Sequence, residues 1–281
     1  MAEISAKDVA ALRKTTGAGM MDCKRALEES NGDMDAAKDW LRQKGLAGAS
    51  KRAGRDANEG AIEVAVDGNV GAIVELNCET DFVAKGDVFR RALDGITRLV
   101  VTEGDGDIAK KSFEGVTVDE YVQGLAGTLG EKIELGRITR FETTDGLLDA
   151  YKHVQNERGV VGVLVELGGV DASDARAREV AHDIALHIAS AAPRYVSRDD
   201  VPADDVARER DILEAQTREE GKPEQALGKI VDGKLNGFFK TVALLEQPFV
   251  KDQKTTIKAL VDGLGGSAEV RRFARVKIGE E

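Results

Sequence analysis

The sequence predicts an α+β protein: a small three-helix N-terminal domain, a duplicated α+β core with antiparallel sheets, and a projecting antiparallel helical hairpin. Three observations predict it. Apolar residues recur at helical spacing through the first 45 residues, and a strand–turn–strand pattern at 62–76 returns about 91 residues later. A highly charged stretch, 202–235, is broken by a sharp Gly221-Lys222-Pro223 turn. The expected division is 1–54 for the helical domain, 55–140 for the first core module and 141–281 for the second, with the hairpin inserted at about 202–235.

Ser5 followed by Asp8 has the pattern of a capping box, with Asp where Glu or Gln is usual. Val9 and Leu12 give the first helix its apolar stripe. Gly17 and Gly19 break the chain, and Met20, Cys23 and Leu27 then recur at i, i+3, i+7. Asn31-Gly32 ends the second helix, and Asp33 caps a third whose stripe is Met34, Ala37 and Leu41. Gly45 is expected to stop it, and 45–60, rich in Gly, Ala, Lys and Arg, reads as a linker, partly helical.

The period then changes. Ile62, Val64 and Val66 alternate with Glu63, Ala65 and Asp67, Asp67-Gly68-Asn69 is a hairpin turn signal, and Gly71-Ala72-Ile73-Val74-Glu75-Leu76 is a more buried strand. Asp87 is expected to cap a helix carrying Phe89, Leu93, Ile96 and Val100. Gly162-Val163-Leu164-Val165-Glu166-Leu167 repeats the buried strand, identical at its Gly, Val, Glu and Leu. A strand at 147–154 and a turn at 155–159 precede it, and Ser173 is expected to cap the following helix, with Ala177, Ala181, Ile184 and Ile188 on its face. In 202–235, Val206, Leu213, Leu227, Ile230 and Val231 supply a narrow seam that suits two helices standing away from the core. A return at 247–250, a short helix at 255–264 and a strand at 269–278 close the chain.

A hydrophobic content of 42% is enough for a packed core, and with aromatics at 4% that core rests on aliphatic side chains. The net charge of −11 argues against general nucleic-acid binding, which needs clustered Lys and Arg. Residues 1–55 carry a net +3 and the remainder −14, so the helical domain has its own surface: a solvated one, or a weak RNA contact. Cys23 and Cys78 lie far apart without CxxC spacing, which suggests neither a disulfide nor a zinc site and fits a reducing cytoplasm. Charges occupy the first residues, where a signal peptide needs an apolar run, and no uncharged stretch approaches the roughly 20 residues of a membrane span, so a soluble cytoplasmic protein is expected.

Motifs of catalysis are absent: there is no GxxxxGK loop followed by Ser or Thr, no GxSxG and no HExxH. His182 and His187 are five apart, off the spacing of a helical metal pair, and read as helix surface or interface. No catalytic residue, metal ligand or cofactor is nominated, and a non-enzyme is expected. One segment stands out, Asn77-Cys78-Glu79-Thr80-Asp81-Phe82-Val83-Ala84-Lys85. Phe82 and Val83 either plug the module's core or serve a function specific to this copy. The repeat favours the second reading, since the offset of 91 sets Ser173 opposite Phe82 and Ala172 opposite Asp81.

That segment, NCETDFVAK, together with TGAGMMDCK at 16–24, resembles bacterial elongation factor Ts. The resemblance covers nearly the whole chain, including the EQPFV return at 246–250. It implies a guanine-nucleotide exchange factor of translation elongation, which binds the GTPase elongation factor Tu and promotes GDP release by disturbing that partner's magnesium site. It gives this role to Thr80, Asp81, Phe82 and Val83. It further implies partner contacts for Arg13, Met20 and Met21, with Met21 equally readable as core. His153 stands where the family has a contact histidine, but residues 154–157 are extra relative to the commoner pattern, and an ordinary strand histidine is the other reading. The competing functional class is an adaptor whose N-terminal three helices, shaped like a ubiquitin-associated domain, recruit a protein or peptide without touching nucleotide. Either way the free chain is expected to bind neither GDP nor GTP, and calorimetry showing micromolar binding of either one overturns that.

Overall fold

The Ser5 hydroxyl accepts from the Asp8 backbone N–H while the Asp8 carboxylate accepts in return from Ser5, closing a capping box at the start of helix α1 (Ala6–Thr16). The structure, a computed structural model, describes residues 4–52 and 54–280, and for 46–51 it describes the backbone alone. Helices α2 (Met20–Glu29) and α3 (Met34–Arg52) follow, the latter capped by Asp33. Leu12, Cys23, Ala26, Leu27 and Ala37 close a small core of their own. Met20 does not join the stripe expected of it: α2 buries Cys23, Ala26 and Leu27 and leaves Met20 exposed. Gly45 does not stop α3, which runs on to Arg52 through much of the expected linker; Ala53, in that linker, lies outside the described residues. Gly45 instead gives a close packing surface, buried against Gly124 and Gly127 of a later helix.

Strands β1 (Glu59–Asp67) and β2 (Val70–Cys78) pair antiparallel across the expected turn, Asp67 opposite Val70 and Gly68 at φ 57°. A single turn, α4 (Asp81–Lys85), leads to α5 (Asp87–Glu103), whose N-cap is Gly86, Asp87 being already in the first turn. A small hairpin, β3 (Ser112–Phe113) and β4 (Val116–Thr117), then α6 (Val118–Leu129) and β5 (Ile133–Glu142) complete the first copy, two residues past the expected boundary at 140. The second copy runs through β6 (Leu147–Gln155), β7 (Arg158–Gly168) and α7 (Ala175–Ala191). Asp174 caps α7, because the Ser173 hydroxyl expected to do so donates to Asp171 at 2.7 Å.

Helices α8 (Ala203–Glu219) and α9 (Glu224–Val242) form the hairpin, joined by Leu213, Leu227, Val231 and Leu235. The second helix continues beyond the expected end at 235, since Phe239 and Val242 extend the same seam toward the core. Then come β8 (Pro248–Phe249), β9 (Asp252–Thr256), α10 (Ile257–Asp262) and β10 (Glu269–Lys277). The duplication is therefore deeper than its strands. A hairpin, a Thr-capped helix and a closing strand recur as β3–β4–α6–β5 and β8–β9–α10–β10, with Thr117 and Thr256 as the caps. The α8–α9 hairpin is an addition to the second copy.

Two three-stranded sheets result, ordered β1-β2-β5 and β6-β7-β10. One face of each carries helices, α5 and α6 on the first and α7 and α10 on the second. The other faces meet, and the core between them consists of matched pairs. Ile62 and Leu148 each lie opposite the buried glutamate of their copy, Ile73 and Leu164 hold the same place in β2 and β7, and Phe141 and Val276 pair with Gly71 and Gly162. Those glycines explain the close approach. A Cβ on Gly71 would lie 3.0 Å from the Leu164 side chain, and one on Gly162 would lie 2.6 Å from Ile62 and 3.0 Å from Ile73. Each copy's central strand thus fills the notch left by the other's glycine.

The repeated glutamate has an equally reciprocal role. Glu75 pairs with Arg137 at 2.7 Å, and Glu166 pairs with Arg272 at 2.6 Å, each beside a bulge in its closing strand. Arg137 also donates to the Lys277 carbonyl at the end of β10, and Arg272 to the Glu142 carbonyl at the end of β5. Burial pushes the Glu166 carboxyl up, but hydrogen bonds from Arg272 and Arg271 outweigh it and hold the group below the usual carboxylate range. Gly162→Ala is expected to destabilise the protein by about 1–3 kcal/mol through overpacking, and Gly71→Ala by less, because only the movable end of Leu164 opposes it. Urea unfolding of the two variants checks the order; a neutral Gly162→Ala would show that the sheets separate at no cost.

Candidate partner-binding surface

The segment 77–85 is folded by groups remote in sequence. Glu131, between α6 and β5, accepts from the backbone N–H groups of Glu79 and Thr80 at 3.1 and 2.9 Å and from the Thr80 hydroxyl at 2.5 Å. Glu79 in turn accepts from the Lys132 N–H at 2.6 Å and pairs with Arg55 at 3.1 Å. Thr80 caps α4 by accepting from Val83 N–H, and Ala84 is the buried foot of the turn. Cys78 donates to the Thr80 carbonyl; burial pushes its thiol up to about 12, so it serves packing and not nucleophilic chemistry.

A turn pinned in this way holds Phe82 out in solvent, 81% exposed. Val83 is half-buried against the first copy's core, so of the two residues only Val83 takes part in packing. Lys85 bonds Asp81 at 2.5 Å, which holds the Asp81 carboxyl below its ordinary range, and the same ammonium lies 5.6 Å from the centre of the Phe82 ring. The offset of 91 between Gly71 and Gly162 falls to 88 between Phe89 and Ala177, so the first copy has three residues more in this connection. Ser173 is accordingly not the structural counterpart of Phe82. The three extra residues give this connection the length to form the α4 turn, which the second copy lacks.

Other segments gather at the N-terminal end of α5, next to this turn. Gly17, left-handed at φ 70°, sits against Val88 in the first turn of α5. Arg90 reaches the Glu157 carbonyl at the tip of the β6–β7 hairpin, and Arg158 bonds Glu59 and the Gly60 carbonyl at 2.6 Å while its charge adds to the field on Asp81. Met20 and Met21 open α2 just beyond Gly17, 56% and 70% exposed, so Met21 is not core; Arg13 is exposed in the last turn of α1. His153 is exposed at the base of the hairpin tip, opposite Val161 in register, with the Tyr151 hydroxyl 3.3 Å from Nδ1. Of the residues 154–157, Val154 and Gln155 extend the ladder opposite Gly159 and Arg158, and Asn156 and Glu157 form a tight turn at φ 50° and 66°; the register shift after His153 leaves Val160 of the opposite strand unpaired.

The remaining histidines are structural. His182 pairs with Asp149 at 3.0 Å. His187, expected at a helix surface or an interface, is buried inside the second copy, accepting from the Val250 N–H and facing Gln247 at 2.8 Å; burial lowers its pKa. Among the described residues no group of three or more His, Cys, Asp or Glu is placed to hold a metal, and no described helix is long and apolar enough to cross a membrane.

The sequence model of the family described as Elongation factor TS matches residues 79–280. The chain is 50% identical over 285 residues to elongation factor Ts of Nocardioides sp., with 99% of this chain and all of the relative aligned. It is 48% identical over 285 residues to that of Thermobifida fusca and 46% identical over 284 residues to that of Micrococcus luteus, again over 99–100% of both chains. The chain belongs to the elongation factor Ts family. Membership places it among the elongation factors of translation, and the turn at 79–86 opens the matched region. Glu131, which supports the turn, carries no local signal, because it lies 51 residues from Thr80, and Arg158 comes near Asp81 only through its bonds to the start of β1. Glu131→Ala is expected to leave two backbone N–H groups unpaired, costing about 1–3 kcal/mol locally. Hydrogen exchange at Glu79 and Thr80 checks it, and should quicken roughly fivefold or more with little change in the global melt.

Proposed function

We propose that this chain is a guanine-nucleotide exchange factor acting in the cytoplasm. It binds elongation factor Tu and opens that GTPase's nucleotide site so that GDP leaves and GTP enters, with no catalytic chemistry, cofactor or nucleotide site of its own. The observation that carries this reading is Phe82. A phenylalanine 81% exposed on a turn fixed from beneath is held where only another molecule can bury it.

The energetics suit a wedge. Factor and GDP must bind the GTPase antagonistically, each weakening the other by the same free energy. Burying one phenylalanine supplies about 1.5–3 kcal/mol, and each tenfold in release rate takes about 1.4 kcal/mol. Phe82 alone therefore accounts for roughly ten- to a hundredfold, and Thr80, Val83, Arg13, Met20, Met21 and His153 are the candidates for the wider contact. Asp81, kept ionised by Lys85, brings a carboxylate to the partner's magnesium ligands or their water once Lys85 lets it go.

Phe82→Ala is expected to slow GDP release from elongation factor Tu by about tenfold or more while leaving the factor's own melting temperature nearly unchanged. Stopped-flow release of a fluorescent GDP and a thermal melt on the same preparation check it. A stability loss of about 3–5 kcal/mol with near-normal exchange per folded molecule would mark a core residue instead. An adaptor working through 1–54 alone would be indifferent to the substitution.

A further inference from the structure

The N-terminal helical domain is held to the first copy of the core by two contacts that only glycine permits. Where α3 crosses α6, a Cβ added to Gly127 would fall 2.0 Å from the Gly45 Cα and 2.8 Å from the Gly45 carbonyl oxygen. This is backbone against backbone, with no side chain able to turn aside. The second contact is Gly17, whose added Cβ would lie 2.9 Å from Val88 and 3.5 Å from Thr128, the residue after Gly127. Beside these points the surfaces part into a cleft of about 500 Å³ lined by Lys14, Leu41, Val88, Phe113 and Tyr121. Two contacts at separate points restrict both the position and the rotation of the domain.

The Gly17–Val88 contact also links two of the exposed apolar segments. Met20 and Met21 begin three residues after Gly17, and Phe82 stands six residues ahead of Val88. We propose that Gly45, Gly127 and Gly17 are positioning residues: they form a rigid joint that sets the span between the Met20–Met21 pair and Phe82, so that both meet the GTPase partner as one preformed surface. The proposal rests on the exchange reading above. A joint fixed in advance spares the cost of ordering the domain at each encounter, and that saving appears as affinity for the partner. The maximal release rate, set at Phe82, does not depend on it.

The test uses three full-length variants. Gly127→Ala places its methyl into the Gly45 backbone, although Ala is the better helix former within α6. Gly45→Ala is milder, with its Cβ 3.3 Å from the Gly124 carbonyl, and Gly124→Ala, with nothing within 4 Å, is the control on the same helix. Small-angle scattering of the free variants is expected to show a larger radius of gyration in the order Gly127→Ala, Gly45→Ala, Gly124→Ala, the last equal to the parent chain. In GDP-release titrations, Gly127→Ala should need on the order of tenfold more factor for half-maximal rate, at an unchanged maximal rate, and Gly45→Ala should fall between. Parental scattering and half-maximal concentration for both Gly127→Ala and Gly45→Ala overturn the joint, as does an equal effect from Gly124→Ala. If Gly127→Ala does not fold, Gly45→Ala against Gly124→Ala decides by the same readings. Failure of the parent chain to release GDP at all would sink the exchange reading alone, and the scattering would still judge the joint.

Discussion

The molecule depends on one reciprocal fit, the seating of each central strand over the other's glycine. Leu164 lies over Gly71 and Ile73 over Gly162, so the two sheets approach as two halves related by a pseudo-two-fold axis. The arginines reinforce the relation: Arg137 and Arg272 each neutralise their own copy's buried glutamate and then bond the last carbonyl of the other copy's closing strand. Because side chains alternate along a strand, a slip of one residue would turn Ile73 and Leu164 away from the notches and bring Ala72 and Val163 into them. The interlock therefore fixes register in both sheets at once, and with it the faces left for α5 and α7 and the place from which α4 emerges.

Much of this was legible in the sequence because it is local. The capping box at Ser5, the turn at Gly68 and the alternation of β1 are each decided by residues a few positions apart. The identical Gly and Glu of the repeat were visible as a pattern, although the pattern did not say that one makes room for, and the other reaches toward, the opposite copy. The failures share a cause. Gly45 was read by the local rule that glycine ends helices, but its neighbour across the crossing is Gly127, and tertiary packing decided the outcome. The second half of the repeat leaves little trace in the sequence, because β3–β4–α6 and β8–β9–α10 share architecture and a threonine cap and little else.

The candidate surface divides in the same way. Phe82 stands out in its own segment, NCETDFVAK, in a chain where aromatic residues are scarce. Its apparent counterpart Ser173 was a product of carrying a fixed offset across an insertion. Glu131, which shapes the turn, and Arg158, which brings the second copy's hairpin beside it, become functional neighbours only once the sheets are assembled.

The insertions acquire a meaning from the pseudo-symmetry itself. A two-fold core presents a visitor with two equivalent approaches, and nothing in the interlock distinguishes them. The first copy's connection is three residues longer and forms α4, and the second copy carries the α8–α9 hairpin, so the two ends are unlike. A half-turn about that axis would set the plain 169–174 loop where the first copy holds out Phe82, and would carry the long helical arm to the opposite flank. Asymmetry added to a symmetric frame makes the two ends of the molecule chemically distinguishable.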